Sequence, residues 1–201
     1  MTTLTQERRL TPTKANAASP ATTDLARFGL IGLLFVQIAI GYEWLISGLT
    51  KLIDGGFPQG LAGELTDTSK DAPGFYRSFL ENVVIPHGQV FGYLVEIGEL
   101  AGGVALIGAA VVWLVRGNRL SVTWQTVVLA VTAIASAVGI FMNVNFHLAN
   151  GGTHPWLIPP SGFDEGVDLD SLMPAIQLVL LAFALAGLRA LHRQVRGGQD
   201  A

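Results

Sequence analysis

Two carboxylates, Glu43 and Glu99, stand inside stretches of chain otherwise apolar enough to cross a membrane. An ionisable group in hydrocarbon marks a functional-site candidate, and proton transfer is the chemistry a glutamate at such depth can perform. Around the two, the sequence places Lys51, Glu96, Asn143, Asn145 and His147, whose donors and acceptors suit the oxygens of a polar ligand.

Depth groups these residues. A first helix leaving the bilayer near Asp54 carries Glu43 roughly 15 Å inward, close to the midplane. A second helix starting near Pro86 to Val90 takes Glu99 to a comparable depth, with Glu96 one turn nearer the outside. The third brings Asn143, Asn145 and His147 to its outer end, and the fourth brings Gln177. The inner half holds only Gln37 and hydroxyls such as Thr123 and Thr126. Polar residues that merely bridge membrane helices are scattered, whereas these converge at one level.

Glu43, Glu96 and Glu99 face a single nearby base, Lys51. A buried carboxylate without a cation is costly enough to take up a proton, so at least one of the three is expected to do so. Glu43 and Lys51 are eight residues apart, roughly 12 Å along a helix, too far to pair. The expected arrangement sets Lys51 against Glu96 and leaves Glu43 with Glu99 deeper, sharing a proton. Two plainer readings stay open: Lys51 snorkelling to the headgroups, and the glutamates as a neutral pair that pins two helices. Asn143 and Asn145, two apart, reach one site only if the helix unwinds between them. His87, His147 and His154 lack the spacing of a metal or haem site, and neither group is predicted. Gly98 and Gly102, four apart, read as a close-packing face.

The elements that must position these groups follow from composition. The chain has 201 residues, 50% hydrophobic and 13% charged, with mean hydropathy +0.48, too apolar for an ordinary soluble domain. The fold class expected is all-α, an integral membrane four-helix bundle with helices at about 28–52, 86–115, 120–148 and 172–192. A strand in lipid would need period-two alternation, which is missing. Residues 1–24 read as a disordered tail, 25–193 as the transmembrane domain and 194–201 as a second tail. Between the first two spans, Phe75, Phe79, Val83 and Val84 suggest an amphipathic segment over 75–84 that covers the bundle. Residues 151–174, with Pro155, Trp156, Pro159 and Pro160, read as loop.

Basic residues orient the chain. Arg8, Arg9, Lys14, Arg27, Arg116, Arg119, Arg189, Arg193 and Arg196 fall on one side, and only Lys51, Lys70 and Arg77 on the other. Both termini are therefore expected in the cytoplasm and the protein in the cell membrane. The formal charge of −3 divides between two opposed faces, so no nucleic-acid partner is inferred. With no cysteine, the chain by itself has no means of disulfide exchange, persulfide carriage or iron–sulfur ligation.

Several short motifs carry a resemblance. Arg27 with Phe35, Gly48-Leu49-Thr50-Lys51-Leu52, the run from Glu99 to Gly108, and Asn143-Val144-Asn145-Phe146 resemble the successive signatures of DoxX-type membrane proteins. The long outer segment and the Asn-Phe ending of the third helix are more similar to the DoxD branch, the small subunit of thiosulfate:quinone oxidoreductase. The resemblance spans about residues 25 to 190. It implies a four-helix bundle tied to quinone-linked oxidation of sulfur compounds or to redox-stress complexes, with Lys51, Glu99, Asn143 and Asn145 as the matching polar residues. Glu43 has no counterpart in that pattern. The function expected is a quinone-interacting membrane subunit of an oxidoreductase complex, surrounded by membrane lipid and completed by a redox partner subunit or further copies of itself. A non-catalytic anchor for a partner enzyme and a small proton-coupled transporter are the alternatives.

Overall fold

Glycine and proline divide the apolar chain into helices that keep their polar residues near one end. The computed structural model describes residues 20–151 and 169–197. These form α1 (Pro20–Asp54), α2 (Phe57–Thr68), α3 (Gly74–Phe79), α4 (Gly88–Arg116), α5 (Val122–Ala149) and α6 (Leu169–Gly197). Most of the expected N-terminal tail, His154 with the loop over 152–168, and residues 198–201 lie outside the described residues. Among the described residues there is no strand, and α1, α4, α5 and α6 are long and apolar enough to cross a membrane.

Helix ends are set locally. Gly55 adopts φ +62 and donates its N–H to the Lys51 carbonyl at 3.2 Å, which ends α1 just beyond the lysine. Ser121 caps α5 by accepting the Trp124 N–H. Pro86 lacks an amide proton, and the chain from Leu80 to Val84 runs as a wide π turn before α4 begins.

The four long helices pack in sequence, α1 on α4, α4 on α5 and α5 on α6, while α1 and α6 touch sparsely. One end of the bundle gathers the C-termini of α1 and α5 with the N-termini of α4 and α6; we call it the site end. The other, where Arg27, Arg116 and Arg119 lie, is the arginine end. Ile40, Trp44, Leu106, Ala135, Met142 and Met173 form the central core. Towards the arginine end Gln37 donates to the Leu106 carbonyl at 2.9 Å and to Thr132 Oγ1 at 3.2 Å. Thr132 and Ser136 are also buried; Thr132 is part of this network, whereas Ser136 Oγ has no partner among the described residues.

Two sequence expectations about packing are corrected. The close approach of α1 and α4 is made by Gly41, Gly48 and Gly103, while Gly102 faces open space. A Cβ on Gly103 would lie 2.5 Å from the Leu45 amide nitrogen. Adjacent helix positions differ by about 100° in direction, so the Gly98/Gly102 spacing alone does not choose the packed face. In the 75–84 segment the buried stripe is Tyr76, Leu80 and Val84, joined by Leu65 and Ala72. Phe75, Phe79 and Val83 point outward. Both stripes have helical spacing; the inner one wins because Tyr76 OH donates to Asn145 Oδ1 at 2.8 Å.

Helix α2 is the element the sequence reading omits. Its apolar residues Phe57, Leu61 and Leu65 repeat every fourth position, yet Gly55, Gly56, Pro58, Gly60 and Gly63 among and just before them read as loop. It lies across the first two turns of α4, with Gly88 against Ala62 and Gly92 against Pro58.

The contrast between neighbouring glycines gives a direct test. Gly103→Ala should destabilise the protein by about 1–3 kcal/mol through overpacking, and Gly102→Ala should leave it unchanged or slightly more stable. Thermal unfolding of the two purified variants decides; equal effects would contradict the packing.

Candidate ligand site

Antiparallel packing sets which charges meet. Gly48 lies against Leu100, and Gly41 against Ile107, so Lys51 stands level with Ile97. Side chains on a helix lean towards its N-terminus, so Lys51 leans away from the site end and Glu99, on the opposed helix, leans towards it. They meet: Lys51 Nζ donates to Glu99 Oε1 at 2.8 Å and to Oε2 at 2.7 Å. Ser47 closes the group, accepting from Lys51 Nζ at 2.8 Å and donating to Glu99 Oε2 at 3.1 Å. Glu99 is 1% exposed. The Lys51 side chain keeps 23% exposure and its ammonium lies 5.1 Å from the centre of the Phe57 ring.

The expected Lys51–Glu96 pairing is therefore replaced by Lys51–Glu99. Glu96 is buried one turn nearer the site end, without a hydrogen bond or ion pair among the described residues. Glu43 is exposed and makes no hydrogen bond to Glu99, whose oxygens are taken by Lys51 and Ser47. Glu43, Ser47 and Lys51 instead form a stripe at four-residue steps along α1, and the spacing that forbids a Glu43–Lys51 pair places Ser47 between them.

That stripe lines a cavity of about 280 Å3. Glu99 and Val95 form its α4 wall, Asn143 and Phe146 its α5 wall, Met173 the α6 side, and Leu61, Glu64 and Thr68 of α2 the side towards the site end. Trp44 and Phe57 add aromatic surface. Asn143 is held rigidly, its Nδ2 donating to the Gly139 carbonyl at 3.0 Å and to Gln177 Oε1 at 3.2 Å. Gln177 is completely buried and occupies the space that the missing side chain of Gly139 leaves. The indole N–H of Trp44 and Gln177 Nε2 have no acceptor among the described residues.

Asn145 faces elsewhere. Helix α5 does not unwind, so Asn143 and Asn145 part as a regular helix requires. Asn145 lines a second, almost wholly apolar cavity of about 310 Å3 with Tyr76, Phe79, Phe91, Leu94 and Phe141. The two cavities share Leu61, Leu65, Val95, Phe146 and Ala149 as a common wall. His147 is buried at the end of α5 and lines neither. Of the seven candidates, the structure thus assembles Glu43, Lys51, Glu99 and Asn143 around one cavity and sets Glu96, Asn145 and His147 apart.

Ser47, Glu64 and Thr68 were not singled out from the sequence. The Glu43–Ser47–Lys51 repeat was the available signal for the first, but Glu64 and Thr68 become visible only once α2 is a helix. Among the described residues no group of three histidine or acidic side chains is placed to hold a metal ion. No protein-family model, curated protein or solved structure matches the chain.

Removing the cation leaves Glu99 buried and uncompensated. Lys51→Met should cost about 3–5 kcal/mol of folding stability, with most of it regained in Lys51→Met/Glu99→Leu. Thermal unfolding of the single and double variants measures the coupling; simply additive losses would show that neither side chain depends on the other.

Proposed function

We propose that this chain is a DoxX/DoxD-like membrane subunit of a quinone-linked oxidoreductase, with the cavity beside Lys51 and Glu99 as its quinone site. One observation carries the reading: a buried carboxylate, bonded to a half-buried ammonium and hydroxyl, lines a cavity that also has aromatic and aliphatic walls.

The residues suit a planar ring bearing two oxygens. The polar cavity, at about 280 Å3, sits at the low end of ligand pockets, commonly ~300–1,000 Å3. The adjoining apolar cavity of about 310 Å3 lies behind a wall of movable side chains, Leu61, Leu65 and Phe146. Lys51 would donate to a ring oxygen, and Trp44 and Phe57, which line the cavity, would flank the ring. When bound, a quinone supplies a two-electron, two-proton couple. Glu99 would exchange a proton with the ring oxygen at its carboxylate, while Lys51 and Ser47 stabilise the charged form by their hydrogen bonds to it. Glu43 lines the same cavity two turns deeper than Lys51. The sparse α1–α6 seam offers a lateral path for a lipid-soluble ligand.

The same reading puts the arginine end in the cytoplasm, because nine of the twelve basic residues belong to that side. The site end then faces the outer leaflet of the cell membrane. A partner subunit supplies the electron carrier, since a chain without cysteine has no thiolate of its own to hold an iron–sulfur cluster.

A second reading, a non-catalytic anchor, is favoured by the completeness with which Lys51, Ser47 and Glu99 satisfy one another, which alone would tie α1 to α4. Glu99→Gln separates the two. As a proton-transfer group its loss should lower quinone-coupled turnover roughly a hundredfold or more in membranes that contain the assembled complex at normal levels. Unchanged turnover there would leave only the anchor.

A further inference from the structure

The arginine end holds a site that the quinone reading does not use. Between the first turns of α1 and the last turn of α4 opens a cleft of about 700 Å3. Arg27 enters it from α1, Arg116 from the end of α4, and Arg119 from the turn that leads to α5. All three are exposed, and none makes a hydrogen bond or ion pair to a described residue. Its walls are apolar, with Leu30 and Ile31 on α1 and Trp113 on α4.

We propose that this cleft binds one anionic diacyl phospholipid. Three guanidinium groups from separate chain segments line one cleft without a counter-ion among the described residues, and a guanidinium matches phosphate oxygens in a bidentate fork. Leu30 and Ile31 continue the apolar surface of a membrane-crossing helix, so acyl chains fit beside them while the phosphate stays among the arginines. Trp113 lies where an indole favours the interface between headgroups and hydrocarbon. Basic clefts between membrane helices suit such headgroups. A free phosphate would share the arginines but leave the walls unused. Lipid bound there joins α1 to α4 at the end opposite the Lys51–Glu99 pair, and it does so whether or not the polar cavity binds quinone.

Native mass spectrometry of the full chain in mild detergent, titrated with phosphatidylglycerol, tests the site. One lipid should bind with saturation, and phosphatidylcholine of equal chain length should not compete. Each arginine near a membrane surface contributes about fivefold in affinity. Arg27→Gln/Arg116→Gln/Arg119→Gln should therefore weaken binding roughly a hundredfold. Arg189→Gln/Arg193→Gln/Arg196→Gln, which removes the same charge from α6 outside the cleft, should not. If the first triple variant does not fold, Arg116→Gln alone should show the fivefold loss. Equal weakening by both triple variants, equal binding of phosphatidylcholine, or displacement by millimolar inorganic phosphate would each overturn the proposal.

Discussion

The ion pair between Lys51 and Glu99 is the constraint from which the rest of the site follows. A carboxylate 1% exposed, eleven residues into a helix long and apolar enough to cross a membrane, keeps its charge only with a cation and further hydrogen bonds at its oxygens. Lys51 and Ser47 provide both. They reach Glu99 because α1 and α4 are antiparallel and in one register, and that register depends on glycines. Gly41, Gly48 and Gly103 let the backbones approach so closely that a single Cβ would collide. Backbone packing and charge pairing thus specify the same alignment, the mutual consistency that singles out one native arrangement.

The four spans were legible because hydropathy over twenty residues is a strong signal, and the polar residues that mattered were legible because charge in hydrocarbon is rare. Partnership was not. Lys51 is equally close in sequence terms to Glu96 and Glu99; helix register and the tilt of side chains towards each N-terminus decide between them, and neither is written in one chain segment. Glu43 shows the same limit, since its depth follows from residue counting but its exposed direction depends on where α6 sits. The geometry of a regular helix did separate Asn143 from Asn145 in advance. What could not be foreseen was that the second cavity would claim Asn145 through Tyr76. Helix α2 was hidden by its glycines and prolines, which are tolerated where the helix lies flat on α4 and Gly88 and Gly92 leave room for it.

The bundle divides its tasks by level. Near the arginine end and the middle, buried polar groups such as Gln37 and Thr132 satisfy each other and act as cross-links. Towards the site end, polar groups are left facing space: Glu43 deepest on the α1 stripe, Lys51 and Glu99 beyond it, Asn143 fixed by Gln177. Side chains of α2, α4 and α5 separate that space from its apolar neighbour. The charged side chains thus come from two facing helices, Glu43 and Lys51 from α1 and Glu99 from α4.

The most direct measurement is photolabelling of the protein in its membrane with an azido-quinone, followed by peptide mapping. Labels on the α1 stripe between Glu43 and Lys51 and on α2 between Phe57 and Thr68, suppressed by excess unlabelled quinone, are the expected result. Labelling that excess quinone does not suppress, or that falls only on the outward faces of α4, α5 and α6, would contradict a quinone site at Lys51 and Glu99.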